Sequence, residues 1–135
     1  MSLKPRLSSY AANVAANAVC FLASRLAIFE GVKPLDADEP LVDQLLLAEL
    51  RFLRQFLPAV DGIAECRELL AESAAPATGR PTWFRVFAVD DSVLFDGTVG
   101  FIGDKAESNM MLSHEVIEAG AIVSVVSVVY EQIRQ

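Results

Sequence analysis

A chain of 135 residues, 53% hydrophobic and 21% charged, has the size and make-up of one packed domain and is too apolar for a disordered tail. Eighteen acidic against eleven basic residues leave a net charge of −7, which repels a phosphate backbone and excludes sequence-independent nucleic-acid binding. Cys20 and Cys66 lie far apart, form no close-spaced metal motif, and read as buried free thiols of a reducing cytosol.

Residues 7–23 read as a helix. Leu7, Ala11, Val14, Ala15, Ala18, Val19 and Leu22 recur at helical spacing and form a stripe expected to pack on the core. Pro5 stands just ahead, and Ser8 or Ser9 is placed to cap the start. Asn13 and Asn17 lie four apart on another face, free for solvent or a partner. The apolar segment 10–29 follows Lys4 and Arg6, as the core of a signal peptide would. Asn13, Asn17 and Arg25 interrupt it, and its unbroken apolar run at 18–23 falls far short of the roughly 20 residues of a spanning helix. No membrane insertion is expected.

Residues 25–30, "RLAIFE", are short, apolar and followed by Gly31, which fits a strand. The stretch 31–41 is a loop rich in turn formers, with Pro34, Asp36, Asp38 and Pro40. Residues 41–57 read two ways. Val42, Leu46, Leu50, Leu53 and Leu57 have helical spacing, whereas Ala48, Leu50 and Phe52 alternate with Glu49 and Arg51 as in a strand. Residues 61–70 pose the same choice, and 71–81 is a loop of small residues, two prolines and Gly79.

From Trp83 onward β structure dominates. "WFRVFAV" and "SVLFDG" are strand-forming arms around Asp90 and Asp91, whose chemistry suits a turn. Trp83, Arg85 and Phe87 alternate with Phe84, Val86 and Ala88. One face of this hairpin is expected to meet the core and the other a partner subunit. Asp96 and Gly97 are expected to kink or end the second arm, and Gly100 and Gly103 to break the next strand. Residues 110–112 form a short strand. A final strand follows Gly120, with Val or Ile at six of the nine positions from Ile122 to Tyr130 and cover on both faces; a buried helix is the lesser alternative.

The chemistry-bearing residues do not assemble into a motif. Asp90, Asp91, Asp96 and Asp104 lack the alternate spacing, central glycine and closing glutamate of a calcium loop. His114 is the chain's single histidine, with Ser113 and Glu115 beside it only in sequence. Gly97, Gly100 and Gly103 match neither a dinucleotide fingerprint nor a phosphate loop, and Trp83 reads as core. No catalytic residue, metal or cofactor is expected.

In order along the chain come "LAIFEG" (26–31), "LLAELRF" (46–52), "WFRVF" (83–87), "FDGTVG" (95–100) and "IEAGAIVSVVSVV" (117–129). This succession resembles a family of small proteins encoded in tailed bacteriophages and prophages. The resemblance spans nearly the whole chain and implies that 46–52 and 62–69 are strands. It also implies a virion-structural role. By analogy of fold, the expected part is a cement or decoration protein on the capsid exterior, assembled in the host cytoplasm. A tail, neck or fibre component is the alternative, and a small enzyme or ligand-binding β domain using Asp96, Asp104 or His114 is a third reading.

The expected architecture is mainly β in a single domain, 1–135. One N-terminal helix at 7–23 precedes an antiparallel, jelly-roll-like β-sandwich at 25–133, with loops at 31–41 and 71–81. The expected partners are the major capsid protein or other virion proteins and further copies of the chain, as a dimer or trimer. Leu7, Tyr10, Val14, Trp83, Arg85 and Phe87 are the expected interface residues.

Overall fold

The computed structural model describes residues 5–71, 74–103 and 108–134. The described residues form one helix, α1 (Ser9–Phe21), and eight strands: β1 (Arg25–Glu30), β2 (Leu45–Phe52), β3 (Ile63–Cys66), β4 (Leu69–Leu70), β5 (Trp83–Phe87), β6 (Val93–Phe101), β7 (Met110–Leu112) and β8 (Val125–Glu131). The strands join in the order β3-β8-β7-β6-β5-β1-β2-β4.

This is mainly β with an N-terminal helix, but it is one mixed sheet rather than an antiparallel jelly-roll sandwich. The pair β6–β7 is parallel, with Val99, Gly100 and Phe101 opposite Met110, Met111 and Leu112. The two edge strands, β3 and β4, are separated by Arg67 and Glu68 alone. The N–H of Leu53 donates to the Glu68 carbonyl at 3.0 Å, and that of Leu57 to the Glu65 carbonyl at 2.9 Å. The sheet thereby curls into a nearly closed, barrel-like form, with segment 53–57 laced along its seam.

Leu26, Ile28, Leu50, Phe84, Val86, Met110, Leu112 and Val128 fill the interior. Burying each such side chain contributes about 1.5–3 kcal/mol. The ambiguous segments resolve as strands where alternate residues can enter this core: Ala48 and Leu50 point in, and Glu49 and Arg51 point out. β2 starts only at Leu45, so the preceding loop runs 31–44. The expected strand at 62–69 is split into β3 and β4 by Arg67 and Glu68, at the point where the chain passes from one edge to the other.

β6 neither ends at Asp96-Gly97 nor breaks at Gly100; it runs through both to Phe101. Gly103, with φ 94°, follows the strand. Gly97 lies opposite Phe84, whose ring fills the space a side chain would need and meets Phe95 edge-on at 6.2 Å. The last strand is shorter than expected, because 121–124 belongs to the loop ahead of it.

Ser8 caps α1, its Oγ accepting the Ala11 N–H at 3.0 Å. The buried stripe is Ala12, Ala16 and Cys20, none of them in the expected stripe, of which Val14, Ala18 and Leu22 are exposed. Small residues face inward because two hydrogen bonds hold the helix close to the sheet. The Gly62 N–H donates to Asn13 Oδ1 at 2.7 Å and the Ala59 N–H to Asn17 Oδ1 at 2.8 Å. The two asparagines therefore dock the helix on its own chain. At the other end Leu7 and Arg134 are joined by two bonds, of 2.6 and 3.0 Å.

A Cβ on Gly97 would lie 2.5 Å from Phe84 Cζ and 2.9 Å from Asn109 Cβ. Gly97→Ala is therefore expected to destabilise the fold by about 1–3 kcal/mol, read as a lower urea midpoint at unchanged slope.

Candidate functional site

The outward face of β1, β5 and β6 gathers the residues singled out in the hairpin. Arg85 and Asp96 are direct cross-strand partners. Arg85 Nε lies 2.7 Å from Asp96 Oδ1 and Nη2 lies 3.0 Å from Oδ2, a two-pronged pair with side chains only 4% and 5% exposed. Trp83 is fully buried beside it, stacked on Phe29 with ring centres 4.6 Å apart, and the Arg85 guanidinium lies 5.4 Å from the Trp83 ring centre. Ala27, opposite Arg85 on β1, is small enough to leave room for the guanidinium. Further along the face, Arg25 sits 3.9 Å over the Phe87 ring and pairs with Glu49 at 3.2 Å and Asp91 at 2.9 Å.

The acids therefore do not converge on one point. Asp90 accepts the Ser92 N–H at 3.1 Å, which holds the pKa of its exposed carboxyl below the usual carboxylate range. Asp91 turns the chain at φ 69° and reaches Arg25; Asp96 serves Arg85. Asp104 lies outside the described residues. Among the described residues, no group of three or more His, Cys, Asp and Glu side chains is placed to share a metal ion.

His114 borders an open cleft of about 330 Å³ lined by 112–114, 116–118 and 121–124, with Leu112, Ile117, Ile122 and Val123 among its walls. Its Nδ1 is 3.0 Å from Ser113 Oγ, an exposed contact between sequence neighbours, while Glu115 pairs instead with Arg80 at 2.6 Å. The cleft wall thus carries an imidazole, a hydroxyl and the carboxylate of Glu118, and no hydrogen bond joins Glu118 to His114 among the described residues.

Cys20 and Cys66 are buried and unbridged. Burial, with a lesser contribution from neighbouring Cys66, pushes the Cys20 thiol up to about 12; burial raises Cys66 as well. Tyr130 is raised by burial and then by Cys20. These thiols are protonated at neutral pH and are poor nucleophiles.

Of the six residues expected at an interface, Tyr10 and Val14 are exposed, while Leu7 and Phe87 are half-buried. Trp83 and Arg85 are buried within the protomer and offer no surface, because the outer face of β5 is already covered in the same chain. Loop 31–44 was not among the expected contacts, yet among the described residues it carries three of the four most exposed large apolar side chains: Leu35 is 98% exposed, Val42 85% and Val32 82%, the fourth being Val89 at 88% in the turn between β5 and β6. Gln44 staples this loop, donating to the Val32 carbonyl at 3.0 Å and accepting the Val42 N–H at 2.8 Å. Asp36 turns its tip by accepting the Asp38 N–H at 2.8 Å. The signal in the sequence was three large apolar residues set among turn formers, where no core position explains them.

No family model matches the chain, and no curated protein or solved structure matches it. Among the described residues no helix is long and apolar enough to cross a membrane.

Truncating one member of the buried ion pair leaves the other charge unpaired. Arg85→Met or Asp96→Ala is expected to cost about 3–5 kcal/mol in chemical denaturation, and the apolar double variant Arg85→Met/Asp96→Leu less than the sum of the two single losses.

Cys20 keeps its proton in the folded chain to about pH 12, whereas the unfolded thiol loses it near 9. The unfolded chain then binds fewer protons, so this contribution to stability is intact below pH 9 and is lost as the pH rises towards 12. Removing both thiols, as Cys20→Ala/Cys66→Ala, should flatten the fall in stability above pH 9. Iodoacetamide at pH 8 should label neither thiol in the folded protein and both in urea.

Proposed function

We propose that this protein is a structural component of a tailed-bacteriophage virion, a cement or decoration protein that holds the outside of the head through protein–protein contacts. The observation that carries the reading is the stapled loop 31–44. It presents Val32, Leu35 and Val42 to solvent in a shape fixed by its own hydrogen bonds. Exposed apolar groups on an ordered loop lose little freedom when they dock, so their burial is available to stabilise a complex. Asp36, Asp38, Glu39 and Asp43 surround them. These acids favour a partner surface carrying basic groups, speed the encounter with it, and suit the outside of a capsid better than its DNA-facing wall. The ordered run of motifs from "LAIFEG" to "IEAGAIVSVVSVV" supports the same reading, because each run contributes to a strand or to the cleft loop of one sheet.

The partner is the major capsid protein or another virion protein, and the protein works there without catalysis. A tail, neck or fibre position uses the same surface and differs in copy number.

Purified particles lacking this protein should bind it when it is added back and then release DNA at a higher temperature. Leu35→Asp/Val42→Asp should lose at least tenfold in binding while keeping its thermal midpoint, since both side chains are exposed in the free chain. A stoichiometry of hundreds per particle supports the head position, and about a dozen moves the protein to the tail. Its absence from purified virions, or full binding by the double variant, overturns the proposal.

A further inference from the structure

We infer that the outward face of α1, with segment 55–60 beside it, is the surface through which two copies of this chain form a two-fold dimer. The inference rests on the helix and not on loop 31–44, so it stands or falls separately from the virion reading.

α1 is apolar on two sides. Its inward stripe of Ala12, Ala16 and Cys20 is consumed by the sheet. Its outward side carries Tyr10, Val14, Asn17 and Phe21, spaced four, three and four apart, the spacing by which one helix pairs with another. Tyr10 is 79% exposed and Phe21 64%. Asn17, the polar member, already accepts the Ala59 N–H, so covering the stripe leaves its carboxamide oxygen partnered. The same bond brings segment 55–60 alongside, where Gln55, Phe56 and Pro58 meet Phe21 and where Leu57 and Val60 are exposed.

Charge identifies the occupant. The chain carries −7, yet no charged residue lies in 8–24 or in 55–60. Two copies meeting on most of their surface would set acid against acid. Two copies meeting here bring no like charges together, and the surface has no charge with which to select an oppositely charged partner. A two-fold contact is self-complementary by construction: a protrusion and a recess on one face each serve the other copy. Both are present. The helix ridge is the protrusion. A groove of about 180 Å³, lined by Asn17, Cys20, Phe21, Gln55, Phe56 and Pro58, is the recess.

The area suffices. With aromatic side chains contributing roughly 150–250 Å² each when fully exposed, Tyr10, Val14, Phe21, Leu57 and Val60 together offer on the order of 600 Å² per copy. Two such faces reach the roughly 1,200 Å² at which specific interfaces begin.

Sedimentation equilibrium of the full chain at 10–100 µM, an order-of-magnitude range for a contact of this size, should give twice the 14.6 kDa mass of one chain. Val14→Glu should weaken the dimer at least a hundredfold with unchanged circular dichroism and thermal midpoint at low concentration. Tyr10→Ser/Phe21→Ser, which removes apolar area without adding charge, should weaken it at least tenfold, and it decides the matter where Val14→Glu fails to fold. Leu35→Asp should leave the dimer intact. A monomeric wild type across this range, a trimer, or a dimer that survives the α1 substitutions overturns the inference.

Discussion

The buried pair of Arg85 and Asp96 sets the register of the central sheet. The two residues lie directly opposite one another, and both point away from the barrel interior. A slip of one residue on β5 would turn the guanidinium inward among Leu26, Ile28 and Leu112, where no carboxylate waits. Such a pair adds little net stability, since removing two charges from water offsets most of their attraction. What it adds is discrimination: with Asp96 in its observed place, one alignment of β5 on β6 satisfies the charge and the neighbouring alignments do not. The same alignment stacks Trp83 on Phe29 and places Ala27 where a larger side chain would collide with Arg85.

Both faces of β1 and β5 are consequently buried, four consecutive positions in each. This two-sided burial explains what was legible in the sequence and what was not. "RLAIFE" and "WFRVF" were readable as strands because runs of aromatic and β-branched residues suit a sheet whichever face they take. The use of their second face was not readable. Apolar groups on both sides of a hairpin look the same whether a partner chain or the chain's own loops cover them, and only Asp96, eleven residues away, completes Arg85. Asp96 itself resembled a strand terminator because Gly97 follows it. In the fold that glycine makes room for the Phe84 ring, so the pair reflects packing and not a turn.

The helix was legible as a helix and misread in its facing. Periodicity favours the stripe that includes Val14, Val19 and Leu22, and here Ala12, Ala16 and Cys20 are inside. The reason lies in Asn13 and Asn17, which reach the backbone of 59–62 and draw the helix too close for Val14 or Leu22 to fit beneath it. Side chains that hydrogen-bond across more than forty residues leave no local trace. Segments 41–57 and 61–70 were ambiguous for a related reason. Their leucines satisfy both periods, and the choice fell to which residues the closing sheet could reach. The parallel step between β6 and β7 had no local signal either, since the side chains of a three-residue strand do not say which way it runs beside its neighbour.

Closure of the sheet also governs how this protein can meet others. Open β edges bind by adding a strand. Here β3 and β4 are separated by two residues, and the backbone of 53–57 already occupies part of their edges. Contacts made by side chains are left, and the two surfaces proposed for them differ in kind. Loop 31–44 embeds its apolar residues among acids, which gives a foreign partner an electrostatic signature to recognise. The outward face of α1 carries none, which suits a partner bearing the same −7 as itself. Because the loop is shaped by Gln44 and the helix is held by Asn13 and Asn17, neither surface depends on the other for its form. A protein with one charged and one uncharged apolar surface, each ordered before contact, can pair with itself and still present its acidic loop to a second component.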